Sequence, residues 1–223
     1  MNWGQLAGIL VLVGSPLRSR LDMDSRRAQL LELGLQLFGT RSYDEVSIDD
    51  IARAANVSKG LLYHYFGGKR AFYVAVVRDG ARRLLEAIEP DSRLPPPSRA
   101  LAGLGAYLRF VEDHADSYTA LVNGGLGADP EIFEILEQAR NAQVDAMLAD
   151  MGLSAPRPAY RLSLRAWIGG VETACVDWLR DPALEREQLL QLLLVHLQGA
   201  IASAYAVDPV EDLTVPVARL VVE

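Results

Sequence analysis

SIDDIARAANVSKGLLYHYF, residues 47–66, contains two short helix-sized runs on either side of a tight turn. Ser47 precedes Ile48, Asp49 and Asp50. A hydroxyl N-cap with acids in the first turn suits the positive end of a helix dipole, so the spacing predicts a helix to about Ala55. Asn56 tolerates the left-handed backbone of a tight turn. Ser58 caps a second helix ending near Phe66, where Gly67 and Gly68 break it. Ile51, Ala52, Ala55, Val57 and Leu62 supply apolar contacts between the two, and the alanines permit a close crossing. This is the size of a helix-turn-helix. In such a unit the second helix enters the major groove, N-terminal residues at the base edges. Here it would present Ser58, Lys59, Gly60, Tyr63, His64 and Tyr65. Lysine reads guanine or binds phosphate, and Ser and Tyr hydroxyls suit phosphate oxygens. Gly60 lets the backbone come close to the duplex.

Taken whole, the charge argues the other way. The 223 residues carry a formal net charge of −7, and a phosphate-binding surface must be basic. The distribution reverses that inference. Residues 52–83 hold seven basic side chains (Arg53, Lys59, Lys69, Arg70, Arg78, Arg82, Arg83) against Asp79 alone. Residues 84–223 hold ten basic against 21 acidic. A strongly basic stretch therefore lies over the candidate reading helix. Half of the residues are hydrophobic and 23% charged, an ordinary globular composition that excludes wholesale disorder. Cys175 is the single cysteine, which excludes a disulfide-stapled domain, and no Cys/His cluster has zinc spacing.

The pattern elsewhere is helical. Residues 1–22 read as a loose extension, or as sequence ahead of a native start at Met23. The apolar run Leu6–Val13 is too short to span a bilayer, and Arg18 and Arg20 follow it rather than precede it as in a secretory signal. Ala28, Leu31, Leu35 and Phe38 lie on one helical face, with Gly39 as a C-cap candidate. A longer helix is expected from Lys69 to Ile88. Pro90, Pro95, Pro96 and Pro97 mark a linker over 89–97. Further helices are expected near 98–115, 117–123, 130–151, 158–180 and 184–206. Only 213–222 alternates like a strand. The fold class is all-α: a small N-terminal domain with the helix-turn-helix and a larger helical C-terminal one.

RRAQLLELGLQLFGTRSYDEVSIDDIARAANVSKGLLYHYFGGKRAFYVAVV, residues 26–77, resembles the DNA-binding domain of the TetR family of transcriptional regulators. Ile51-Ala52, Val57-Ser58-Lys59-Gly60, Leu62-Tyr63-His64-Tyr65-Phe66 and Lys69 match its signature in order and spacing. The resemblance implies a DNA-binding domain over 23–70 and a ligand-binding and dimerisation domain over 71–223. It implies a cytoplasmic, nucleoid-associated homodimer on a palindromic double-stranded operator, acting as a repressor that a small-molecule inducer releases. No cofactor, metal or membrane partner is expected. Ser47 matches a phosphate-touching hydroxyl, Lys59, Gly60, Tyr63 and His64 match recognition positions, and Lys69 matches a phosphate-binding lysine. Two positions depart from the pattern: Asn56 replaces the usual glycine, and Gly68 replaces a polar cap. Tyr63, Tyr65 and Phe66 also read as core residues, and His64 as a solvated one.

The resemblance also implies a ligand pocket between the helices of 98–180. Tyr107, Phe110, Tyr118, Phe133, Met147, Trp167, Glu172 and Trp178 have suitable side chains, and ordinary core is the simpler reading of each. Glu172 lies on an otherwise apolar helix, so it needs a partner or water: either a salt bridge to Arg165 or Arg109, or a ligand. Gly169-Gly170 within 158–180 costs helix stability and suggests close backbone approach to another helix. The last helix is apolar almost all round, which is implausible at a monomer surface. Both features suit pairing of the last two helices with their copies. An enzyme would need a nucleophile–base pair, a metal constellation or a phosphate loop, and none is legible. A helical small-molecule-binding and dimerisation protein without sequence-specific DNA binding is the alternative reading.

Overall fold

The computed structural model describes residues 16–123, 129–153 and 157–210, where every regular element is an α-helix. In chain order these are α1 (Pro16–Thr40), α2 (Ile48–Ala54), α3 (Lys59–Phe66), α4 (Lys69–Ile88), α5 (Pro96–Asp113), α6 (Ala115–Val122), α7 (Pro130–Asp150), α8 (Pro158–Arg180) and α9 (Arg186–Val207). The strand-like run 213–222 and residues 1–15 of the expected extension lie outside the described residues. Residues 16–22, assigned to that extension, continue α1.

The turn between α2 and α3 forms as its residues require. Ser47 Oγ accepts from the Asp50 N–H at 3.1 Å, and Asp50 Oδ2 accepts from the Ser47 N–H at 3.0 Å, a complete capping box. Hydrogen bonds from Ser47 hold the Asp50 carboxyl down at about 2. Its share of stability is thus present above the ordinary 3.8 and is lost as pH falls toward 2. Asn56 adopts φ 52°, the left-handed region, where a short polar side chain is tolerated and other side chains are strained. Asn56→Ala should lower stability by about 1 kcal/mol in chemical denaturation, and Asn56→Gly should not. Ser58 Oγ accepts from the Leu61 N–H at 3.2 Å, and Gly67 ends α3 at φ 81°.

Two local expectations are corrected. Gly39 does not cap α1, which continues to Thr40. A β-carbon at Gly39 would lie 2.7 Å from Ser117 Oγ, and that hydroxyl donates to the Leu35 carbonyl at 2.8 Å. Gly39 is therefore the crossing point of α1 and α6. The proline run does not keep helix out: Pro96 and Pro97 occupy the first turn of α5, where a fixed φ and a missing N–H cost nothing.

Leu30, Leu31 and Phe38 of α1 pack with Ile51, Leu62 and the α4 residues Phe72, Tyr73, Val74, Val76 and Val77; Ala28 is exposed. Ile132 and Ile135 of α7 complete this cluster. The first two turns of α4 thus pack with α1–α3 and with the start of α7 in one cluster. Two further clusters fill the C-terminal half. One joins α5, α6, α8 and α9 around Tyr107, Leu108 and Val111. The other joins α7, α8 and α9 around Tyr160, Leu164 and Leu197.

Among the described residues, Gly169 and Gly170 meet no neighbouring helix. A β-carbon at Gly170 or Gly199 would touch nothing within 4 Å, and one at Gly169 only Arg165 Nη1 at 4.0 Å. They sit on outward stripes of two helices packed against each other: Leu162, Ala166, Gly170 and Thr173 on α8, and Leu192, Val195, Gly199 and Ser203 on α9. Thr173 and Ser203 return their hydroxyls to the Gly169 and Gly199 carbonyls, at 3.0 and 2.8 Å. Both hydroxyls are thus turned inward, and exposed His196 lies on the α9 stripe between Leu192 and Gly199. Among the described residues, α9 is the one helix long and apolar enough to cross a membrane.

Candidate functional site

α3 stands on the core through Leu62, which is fully buried. Ser58, Lys59, Gly60, Tyr63 and His64 point outward, with Tyr63 52% exposed. These are the first and second turns of a helix held from behind, the arrangement that a groove-reading helix needs. Tyr65 is half-buried and leans on the N-terminal core beside Phe66. Lys69 Nζ sits 4.0 Å over the Tyr43 ring, a cation–π contact that fixes it at the start of α4. Tyr43 was not singled out by sequence, and neither was Arg27, whose guanidinium lies 5.4 Å over the Phe66 ring.

Two hydroxyl assignments acquire a structural role. Ser58 Oγ accepts from its own helix but keeps its proton free to donate to phosphate. Ser47 Oγ both accepts from the Asp50 N–H and donates to Asp50 Oδ2 at 2.7 Å, so it reaches phosphate only by releasing that carboxylate.

The basic stretch is less available than its sum suggests. Lys59 pairs with Asp49. Arg53 pairs with Asp50 at 3.0 Å, Arg82 with Asp79 and Glu86 at 2.7 Å, and Arg83 with Asp79 and Glu32. Arg70 grips Asp129 through two hydrogen bonds of 2.8 and 2.9 Å, and Arg78 meets Glu131 at 3.1 Å. Asp129 caps α7, and the Arg70 bonds lower its pKa. The Arg70–Asp129 clasp ties the start of α4 to the start of α7.

Those two helices run from the DNA-reading half to a cavity of about 800 Å³. Leu85, Glu86 and Ile88 of α4 and Glu89 just beyond it line it, as do Gln143, Met147 and Asp150 of α7, Arg99, Leu104 and Tyr107 of α5, Trp167 and Ile168 of α8, and Gln191, Leu194 and Gln198 of α9. Of the residues singled out in the sequence, Tyr107, Met147 and Trp167 lie on its wall.

Five of the expected pocket residues do not line it. Tyr118 is core: its hydroxyl meets that of Tyr107 at 2.8 Å, and burial raises the pKa of both. Trp178 is buried and donates to the Leu184 carbonyl at 2.7 Å. Phe110 stacks on His114, and Phe133 is 61% exposed. Glu172 is paired, but with neither expected arginine. Arg140 donates to both its oxygens at 2.8 and 3.0 Å, while Arg165 pairs with Glu137. Burial pushes the neighbouring Cys175 thiol up to about 12, which makes it a poor nucleophile.

Similarity to known proteins agrees with this architecture. Residues 30–76 match the family model for bacterial regulatory proteins of the tetR family, and residues 96–199 match that for the tetracyclin repressor-like C-terminal domain. The transcriptional regulator AcuR of Cereibacter sphaeroides is 31% identical over 170 residues, 68% of this chain and 76% of that protein. The chain belongs to the TetR family. The HTH-type transcriptional activator FasR of Mycolicibacterium smegmatis is 30% identical over 145 residues, covering 62% of this chain and 66% of FasR. The crystal structure of a TetR-family regulator from Streptomyces coelicolor superposes with a TM-score of 0.75 at 32% identity, over 83% of this chain and 84% of that one. The chain is thus a DNA-binding transcriptional regulator and not an enzyme.

Proposed function

We propose that this TetR-family protein is a ligand-responsive repressor. It would bind a palindromic operator as a homodimer and release it when a small molecule fills the cavity. The observation that carries the reading is the path of α4 and α7. Each lines the cavity at its C-terminal end and meets the DNA-reading half at its N-terminal end, where Arg70 and Asp129 clasp. A ligand that separates the two helices would move α3 relative to its copy, so DNA and ligand favour different conformations. Ser58, Lys59, Gly60, Tyr63 and His64 would read the groove. Lys69 would hold phosphate, with Ser47 beside it once Asp50 lets go and Tyr65 supporting from the core side. The dimer would form through the outward stripes of α8 and α9. Such a regulator works in the bacterial cytoplasm, on the nucleoid.

Gel-shift titration against DNA flanking the protein's own gene tests the reading. Salt-sensitive binding to one fragment supports it, and uniform weak binding to all fragments sinks it. Lys69→Ala should weaken all sites alike and reduce the slope of log affinity against log salt by about one. Asp129→Asn keeps a capable N-cap but removes the charge that holds Arg70. It should leave cavity binding intact and shrink the ligand-induced change in operator affinity severalfold, measured as the ratio of operator Kd with and without ligand.

A further inference from the structure

DNA affinity comes chiefly from cations set against phosphates, and in the DNA-reading half most cations are already engaged. Every cation of the basic stretch except Lys69 pairs with a carboxylate, and Arg41 ahead of it meets Asp50 at 3.6 Å. Such a pair is neutral at a distance, so it adds little to the field that a phosphate meets. Among the described residues from Met23 to Ile88, Arg26, Arg27 and Lys69 are the cations left without a carboxylate. Arg26 is exposed and donates to Gln29 at 3.2 Å. Arg27 and Lys69 instead share one arrangement, each held over an aromatic ring. Lys69 Nζ lies 4.0 Å from the Tyr43 centroid, and the Arg27 guanidinium 5.4 Å from that of Phe66. The two rings end one aromatic group: Phe66 is 4.8 Å from Phe72, Phe72 6.1 Å from Phe38, and Phe38 6.2 Å from Tyr43. Phe66 closes α3, and Lys69 opens α4 just after it. Arg27 and Lys69 therefore flank the C-terminal end of the reading helix, one from α1 and one from α4.

We infer that Arg27 binds a DNA phosphate beside Lys69, held ready for it by the Phe66 ring. This rests on DNA binding and not on the effector reading. α3 has eight residues, about 12 Å of helix, no more than the width of the major groove. With its first turn at the base edges, its far end stays at the groove's border, where the phosphates run. A guanidinium carries five N–H donors in a planar fork that fits two phosphate oxygens. Arg27 is exposed, and its printed contact among the described residues is the ring alone. Asp24 lies one helical turn before it, yet the guanidinium turns to Phe66 instead. A solvated surface arginine would have no reason to leave that carboxylate. The ring also restricts the side chain before DNA arrives, so less rotamer freedom is lost on contact.

Binding of the full chain is measured on two labelled duplexes, the fragment that shifts and one of random sequence and equal length, from about 0.05 to 0.2 M salt. Arg27→Gln should lower the slope of log affinity against log salt by as much as Lys69→Ala. It should weaken both duplexes about fivefold at physiological salt, the share of the counterions that one contact releases. Its denaturation midpoint should match that of the parent protein. Arg27→Lys keeps the charge and should keep the slope. Arg93→Gln removes a cation paired with Asp91 in the loop before α5 and should change neither slope nor affinity. In a Phe66→Leu background the loss caused by Arg27→Gln should shrink by about twofold, because the ring no longer positions the charge. A parent-like slope in Arg27→Gln, or a loss no larger than that of Arg93→Gln, overturns the inference. A loss confined to the shifting fragment makes Arg27 a base reader and overturns the phosphate contact. If no fragment shifts, the repressor reading falls, and the random duplex still decides the role of Arg27.

Discussion

Phe72→Ala should destabilise the DNA-reading half by about 3–5 kcal/mol, among the larger costs of a single core truncation. Phe72 is fully buried where three helices meet. It lies edge-on to Phe66 of α3 with centroids 4.8 Å apart, and 6.1 Å from Phe38 of α1. α1 comes this close because Gly34 has no side chain: a β-carbon there would lie 2.9 Å from Phe72 Cζ and 2.3 Å from Val76 Cγ2. Backbone packed that tightly cannot collapse into the space that alanine leaves, so the cavity term stays. The expected result is a lowered denaturation midpoint and lost operator binding, with size-exclusion behaviour unchanged because α8 and α9 are untouched. Phe133→Ala is the control. Its ring is 61% exposed, so it should change stability by no more than about 0.5 kcal/mol. Equal effects of the two would mean that Phe72 is not the keystone of this half.

The parts of this protein that were legible in sequence are those decided locally. Ser47, Asn56, Ser58 and Gly67 each fix a backbone conformation through their own chemistry, and the helix-turn-helix forms where they put it. The cavity was half legible. Met147 and Trp167 lie on its wall and Tyr107 is shared by wall and core, whereas Tyr118 and Trp178 belong to the core alone. Side-chain type cannot separate wall from core, because the difference lies in which neighbouring helix is missing. Gln191, Leu194 and Gln198 did carry a signal: two amides at helical spacing on an apolar helix mark a face that is not packed. Arg99 carried none, since its place on the wall depends on the Asp150 pair and on the Ser92 and Leu94 carbonyls of the preceding loop. Charge misled in a different way. The basic stretch pointed to the right function, but Arg70, Arg78, Arg82 and Arg83 spend themselves on carboxylates. Glu131, distant in sequence, is one of them, and a sum over neighbouring residues cannot see such a partner.

Leu192→Glu combined with Val195→Glu should turn the proposed dimer into a monomer and weaken operator binding by roughly 10²–10⁴-fold. Both side chains are about half exposed in the single chain, at 43% and 49%, so the charges should leave the fold intact. Their neighbours make that exposure meaningful. Gly170 and Gly199 leave the backbone bare on adjoining stripes, and Thr173 and Ser203 have turned their hydroxyls inward. Such a surface admits the close approach of another helix and offers water little to bind. A membrane would also suit the apolarity of α9, but α9 packs its opposite face, Leu189, Leu193, Leu197 and Ile201, into the protein core. A second copy would cover the stripe without undoing that packing. Four glutamates brought together in the paired interface would repel one another at low dielectric, where unpaired charge is costly. Two half-sites bound by linked reading helices gain from effective concentration, and separated chains lose that gain although each helix still fits its groove. Analytical ultracentrifugation and operator titration of the double variant together decide the matter. A monomer that binds the full operator as tightly as the parent protein would show that dimerisation does not drive recognition, and a variant that remains dimeric would place the interface elsewhere.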